Sequence, residues 1–99
     1  MNEITSEILE EFKVYMKIGD DEDDNLTRIL ESSIEDLIFM CGEFDIATSK
    51  RFKSLVFDHA RYTYNDAAEY FAKNFQSKIN SLGLEAVINY VEGEENEGQ

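Results

Sequence analysis

Apolar positions recur at helical intervals along most of this chain, and the longest unbroken pattern lies between Leu26 and Cys41. There Leu26, Ile29, Leu30, Ser33, Ile34, Leu37, Ile38 and Cys41 form a stripe of apolar or small residues that keeps the ~3.6-residue helical period. The spacing predicts a helix over Asp23–Cys41, with Gly42 as its natural stop. Ahead of it, Leu9, Phe12 and Met16, with Ile8 and Tyr15 beside them, predict a shorter amphipathic helix over Ser6–Ile18, capped by Thr5 or Ser6 and ended by Gly19. After a linker at Glu43–Thr48, Ser49 is a good N-cap for a third helix. Phe52, Leu55, Val56, Ala60, Thr63, Tyr64, Ala67 and Phe71 carry its stripe through Lys50–Asn74, a length of roughly 35 Å at ~1.5 Å per residue.

Beyond Asn74 the pattern weakens. Phe75, Ile79 and Leu82 suit a shorter C-terminal helix, Gly83 reads as a helix stop, and Leu84–Val91 reads as a helical turn or an extended piece. The segment 93–99 is acidic, contains Gly93 and Gly98 and has no apolar anchor, so its ordering entropy has no compensating burial and a disordered tail is expected. The expected fold is therefore all-α: a small helical bundle over residues 1–92 with one long aromatic-rich helix and negligible strand.

Charge narrows the functional classes. Twenty-two Asp and Glu against nine Lys and Arg give a net charge of −13, which repels phosphates and argues against nucleic-acid binding through a basic footprint. A hydrophobic content of 42% argues against disorder across the whole chain. No stretch approaches the ~18 uninterrupted apolar residues of a membrane span, and no leader pattern opens the chain, so a soluble, cytoplasmic domain is expected. Cys41 is the one cysteine, which excludes a disulfide or a cysteine-built zinc site within one chain; it reads as a packing residue.

Candidate chemistry is sparse. Asp20, Glu22, Asp24 and Glu31 fall at positions one, three, five and twelve of a calcium loop. Position six, where glycine is required, is Asn25, and Ile29 and Leu30 already belong to the helical stripe. Acids at a helix N-terminus, facing its unsatisfied N–H groups and the positive end of its dipole, account for the run better, and no metal is assigned. Five acids exceed that need, so the surplus suits a basic partner or a neighbouring copy. His59 has no serine or cysteine at a catalytic spacing and reads as a packing residue or a helix–helix hydrogen-bonding group. No phosphate-cradling glycine loop or metalloprotease motif is present, and neither catalytic residues nor a cofactor are expected. The run FDHARYTYNDAAEYFAKNF points Phe57, Tyr62, Tyr64, Tyr70, Phe71 and Phe75 in more directions than one stripe accommodates, which fits either singly exposed tyrosines or an oligomer interface.

Two segments in order, EEFKVYMKIGDDEDDNLTRILESSIEDLIFMCG and RYTYNDAAEYFAKNFQSKINSLGLEAV, resemble the small head-tail connector proteins of tailed bacteriophages, also called head-completion or DNA-packaging adaptors. The resemblance covers about Leu9 to Val87. It rests on Lys13, Ile18, Asp20–Asp24, Leu26, Ile29 and Leu30 in the first segment, and on Tyr64-Asn65-Asp66, Tyr70-Phe71 and Asn74-Phe75-Gln76 in the second.

The resemblance implies a non-enzymatic subunit that joins a ring of twelve copies beneath the portal protein of the capsid, at the head-tail interface of the virion. Such a ring extends the DNA channel, lets DNA pass without specific binding, and offers a platform for the next head-completion or tail protein. An acidic channel wall fits that role because it does not hold phosphates. A free acidic helical protein that mimics DNA or inhibits a host DNA-binding protein is the alternative. Interface residues expected in a ring are Tyr62, Tyr70, the acidic run Asp20, Asp21, Glu22, Asp23 and Asp24, and the basic turn Lys50, Arg51 and Lys53. That turn either meets the acidic run of an adjacent subunit or is neutralised by Glu43 and Asp45.

Overall fold

A computed structural model describes the backbone of residues 2–97 and side chains through residue 92. Among the described residues five α-helices follow one another: α1 (Ser6–Met16), α2 (Asp23–Cys41), α3 (Lys50–Tyr64), α4 (Phe71–Asn74) and α5 (Gln76–Glu97), with a short 3-10 turn at Ala68–Tyr70 before α4. No strand occurs among the described residues. The disordered tail expected over 93–99 falls on residues whose side chains or whole placement lie outside those described.

The core forms where the stripes of α1, α2 and α3 converge. Phe12, Leu26, Leu30, Leu37, Phe52, Val56 and Phe71 are fully enclosed, and Cys41 is packed among them. Burying a large apolar side chain is worth roughly 1.5–3 kcal/mol, so this set dominates the stability. Phe12 meets Phe57 at a ring-centroid distance of 5.2 Å, which locks α1 onto α3. The linker after α2 is also anchored: Ile46 is buried, Phe44 stacks on Phe52, and the Asn2 amide brackets the pair. Its Nδ2 donates to the Phe44 carbonyl at 2.8 Å and its Oδ1 accepts from the Ile46 N–H at 2.7 Å.

Helix α2 has the expected bounds, and Thr5 and Ser49 cap α1 and α3 by accepting from the N–H groups of Ile8 and Phe52. The stop of α1 differs from expectation. Gly19 does not end the helix; Lys17 does, in a left-handed conformation with φ 59°. Its N–H reaches the Val14 carbonyl and that of Ile18 reaches the Lys13 carbonyl, the paired bonds of a Schellman stop.

The long helix expected over Lys50–Asn74 is not continuous. It stops after Tyr64 by the same device, with Asp66 left-handed at φ 58°, Asp66 N–H bonded to the Thr63 carbonyl and Ala67 N–H to the Tyr62 carbonyl. Asparagine and aspartate tolerate this backbone region better than most residues, and Asn65-Asp66 uses that tolerance. The break folds the second half of the aromatic run back over the first. Phe71 packs edge-on against His59 and Tyr62, and Phe75 packs against Tyr62 and Phe71. Surplus aromatic directions are thus largely absorbed within one chain.

The C-terminal helix is correspondingly long, not short. Gly83 lies inside α5 and does not stop it. Leu82 and Ile79 dock α5 on the core, and Gly42 admits it at the end of α2: a Cβ on Gly42 would stand 2.7 Å from the Ala86 Cβ, and Gly42 itself has φ 107°. Gly42→Ala therefore meets a backbone penalty and a steric one, together about 2–4 kcal/mol in urea denaturation. Adding Ala86→Gly removes only the steric part, so a double-mutant cycle is expected to show coupling of about 1 kcal/mol.

Candidate functional site

The acidic run is organised around one cation. The stem of Lys13, on the last turn of α1, is buried, and its Nζ reaches carboxylates of Glu10 at 2.7 Å, Asp20 at 2.7 Å and Asp23 at 2.9 Å. The three acid side chains remain 64%, 86% and 47% exposed, so the ammonium sits at the rim of the core and water screens its outer side. The hydrogen bonds that Lys13 donates to Asp20, then Glu10 and Asp23, hold it well above the ordinary lysine range, and Lys13 holds Asp20 below the usual carboxylate range. Glu22 is engaged too: it accepts from the Tyr64 hydroxyl at 2.6 Å, which raises the Tyr64 pKa, and from the Asn25 amide at 3.2 Å. Asp23 and Asp24 lie in the first turn of α2, where the helix dipole favours them. Among the described residues no three His, Cys, Asp or Glu side chains converge as a metal site.

The basic turn is also engaged within the chain. Arg51 bonds Glu85 Oε1 and Ser81 Oγ, both at 2.6 Å and both on α5, while Lys53 bonds Glu11 of α1 at 2.7 Å. These partners lie outside the linker that carries Glu43 and Asp45. Of the two patches expected to meet between subunits, Asp21, Asp24 and Lys50 are the members to which no such bond belongs among the described residues. Tyr62 is half-buried, accepts from the Asn74 amide at 3.1 Å and has the Arg61 guanidinium over its ring. Tyr70 is 58% exposed.

His59 joins α3 to α2. Its Nδ1 lies 2.8 Å from Ser33 Oγ and its Nε2 3.5 Å from Asp36 Oδ2, while its ring edge meets Phe71. These are the residue types of a hydrolase triad, but Ser33 has no exposed surface, so no substrate can reach its oxygen. The arrangement is a helix–helix hydrogen bond. Burial lowers the His59 pKa below its usual value, partly opposed by Asp36.

Sequence reasoning missed the surface that stands out most. After Ala86, α5 leaves the bundle, and Val87–Glu92 are all exposed. Val87 is 59%, Ile88 48%, Tyr90 71% and Val91 47% exposed, and Leu84 just before them is 63% exposed. Leu84, Val87, Ile88 and Val91 have the i, i+3, i+4, i+7 spacing of a helical stripe. That spacing was visible in the sequence, and Gly83 obscured it. Phe39 on α2 and Val14 on α1 are further exposed apolar residues, 92% and 77%.

The chain matches no protein-family model, no curated protein and no solved structure. No helix among the described residues is long and apolar enough to cross a membrane.

Two pH dependences follow. With Lys13→Met, Glu10, Asp20 and Asp23 face one another without a cation, so the variant is expected to be less stable than the parent at neutral pH. The stabilisation from a depressed Asp20 is present above its ordinary value of 3.8 and is lost as pH falls through the folded value, so the gap between the two proteins should close below about pH 4 in chemical denaturation. For His59, depressed in the folded state, stability is present above its ordinary value of 6.5 and is lost as pH falls below it. Between pH 7.5 and pH 5 the parent should therefore lose stability relative to His59→Gln, in the direction the linkage relation gives for a histidine that binds its proton more readily in the unfolded chain.

Proposed function

We propose that the protein is a structural head-tail connector subunit of a tailed bacteriophage. It forms a ring beneath the portal protein, extends the DNA channel and docks the next head-completion or tail protein. Its place is the head-tail interface of the virion, reached from the host cytoplasm during assembly, and its work is non-catalytic. The observation that carries the reading is the outer arm of α5. Four of the six residues Val87–Glu92 are apolar, and all six are exposed. A short helical end of that composition, without packing of its own, is marginal in water, and neighbouring molecules are the natural source of the missing burial.

The connector family is supplied by the sequence resemblance, and the arm gives the physical reason for assembly. The charge of −13 supports both parts of the role: it keeps phosphates off a channel wall, and it keeps free subunits apart until a template gathers them. At micromolar concentration the isolated chain is expected to sediment as a monomer or a loose associate. Mixed with portal-bearing capsids, it is expected to add a ring density under the portal in electron micrographs. Tight rings at low salt without a portal, or capsids that stay bare, would count against the proposal. Stoichiometric capture by a basic DNA-binding protein, reversed by added DNA, would favour the DNA-mimic reading instead.

A further inference from the structure

We infer that the groove between α3 and α5 receives the outer arm of α5 from a second copy of the chain. The inference rests on the connector reading, in which subunits meet around a ring, and it names the two surfaces that meet.

The groove encloses about 510 Å3. Leu55 and Leu82 form its apolar floor, and Lys50, Arg51 and Lys78 stand around it with serine hydroxyls between them. Three of the nine Lys and Arg of the chain thus gather on one concave surface of a protein with 22 acids; Arg51 is answered by Glu85 of its own chain, and Lys50 and Lys78 are the two that form no ion pair among the described residues. The arm has the opposite character. Its stripe of Leu84, Val87, Ile88 and Val91 offers apolar knobs, and from residue 87 to 97 the sequence holds Glu92, Glu94, Glu95 and Glu97 and neither Lys nor Arg. An apolar, acidic helix end and an apolar-floored, basic groove are complementary in both hydrophobicity and charge.

Groove and arm cannot meet within one copy. The groove is built partly on the first half of α5, at Ser77–Leu82, and the arm is the second half of the same uninterrupted helix, Gln76–Glu97. Pairing of two arms with each other would bring their glutamates together and is disfavoured by the same charges. The remaining arrangements place the arm of one copy in the groove of another, either reciprocally in a two-fold dimer or, as the connector reading requires, head-to-tail, each copy presenting its arm to one neighbour and its groove to another. Two different surfaces repeated in that way close into a ring or continue as a filament.

The test is a dilution series of the full-length, 15N-labelled protein by NMR, from about 1 mM to about 10 µM, a range that captures weak association. The amides of the groove and those of Val87–Glu92 are expected to shift together with concentration. A groove variant, Lys50→Glu/Lys78→Glu, and an arm variant, Val87→Lys/Val91→Lys, should each weaken self-association at least about tenfold. Mixed, they should pair one to one, because the arm of the first and the groove of the second are intact. A concentration-independent spectrum overturns the inference, as does a groove variant that associates like the parent, or a mixture that restores nothing. Dispersed amide spectra establish that each variant is folded; where the reversal unfolds the chain, Lys50→Gln/Lys78→Gln carries the same comparison. These measurements involve no portal, so a chain that never forms rings on capsids still decides whether groove and arm meet.

Discussion

A lysine stem enters the core of this protein, and its charge must be answered at the rim. Lys13 sits beside Phe12, whose ring is fully enclosed, so α1 cannot pack without carrying the ammonium with it. Glu10, Asp20 and Asp23 answer that charge from α1, the connecting loop and the first turn of α2. The same principle recurs at other seams. Lys53 bridges α3 to Glu11 of α1, and Arg51 bridges α3 to Glu85 of α5. In a chain with so few cations, these three are placed between helices, and they fix which helix lies beside which. Individually such rim pairs are weak in water, and their contribution is to orientation more than to total stability.

How much of this was legible depends on the signal each segment carried. The bounds of α2 could be read because Leu26–Cys41 keeps its period without interruption and Gly42 follows at once. The stop after Tyr64 was harder to read. The stripe continues in register through Ala67 and Phe71, and only the pair Asn65-Asp66 and the surplus of aromatic directions signalled a turn. Gly83 misled in the other direction: it sits inside α5, where a Cβ would come no nearer than 3.8 Å to the Cys41 carbonyl, so neither sterics nor backbone requires a stop there. The acidic run was read correctly as helix punctuation, but its partner Lys13 lies across a turn that composition alone does not close.

Folding the aromatic run back on itself decides which apolar surface is left exposed. Tyr62, Phe71 and Phe75 satisfy one another and His59 within the chain, so the middle of the sequence offers fewer apolar contacts to neighbours than its composition suggests. The apolar surface instead collects at the end of α5. The helix is anchored at Leu82 and Gly42, and beyond Ala86 it carries its stripe clear of the bundle, so any contact that buried the stripe would also have to hold in place a helical end with little packing of its own.

The two Schellman stops have a consequence for how this sequence can change. Lys17 and Asp66 hold a left-handed backbone that glycine adopts without penalty, at a cost of roughly 1 kcal/mol each. Both lie on the surface, so a single substitution at either place could recover that energy without disturbing a packed side chain. The chain therefore carries a mutational reserve: a lineage that remodels an exposed surface for a new neighbour, at some loss of stability, has two independent positions at which to regain it.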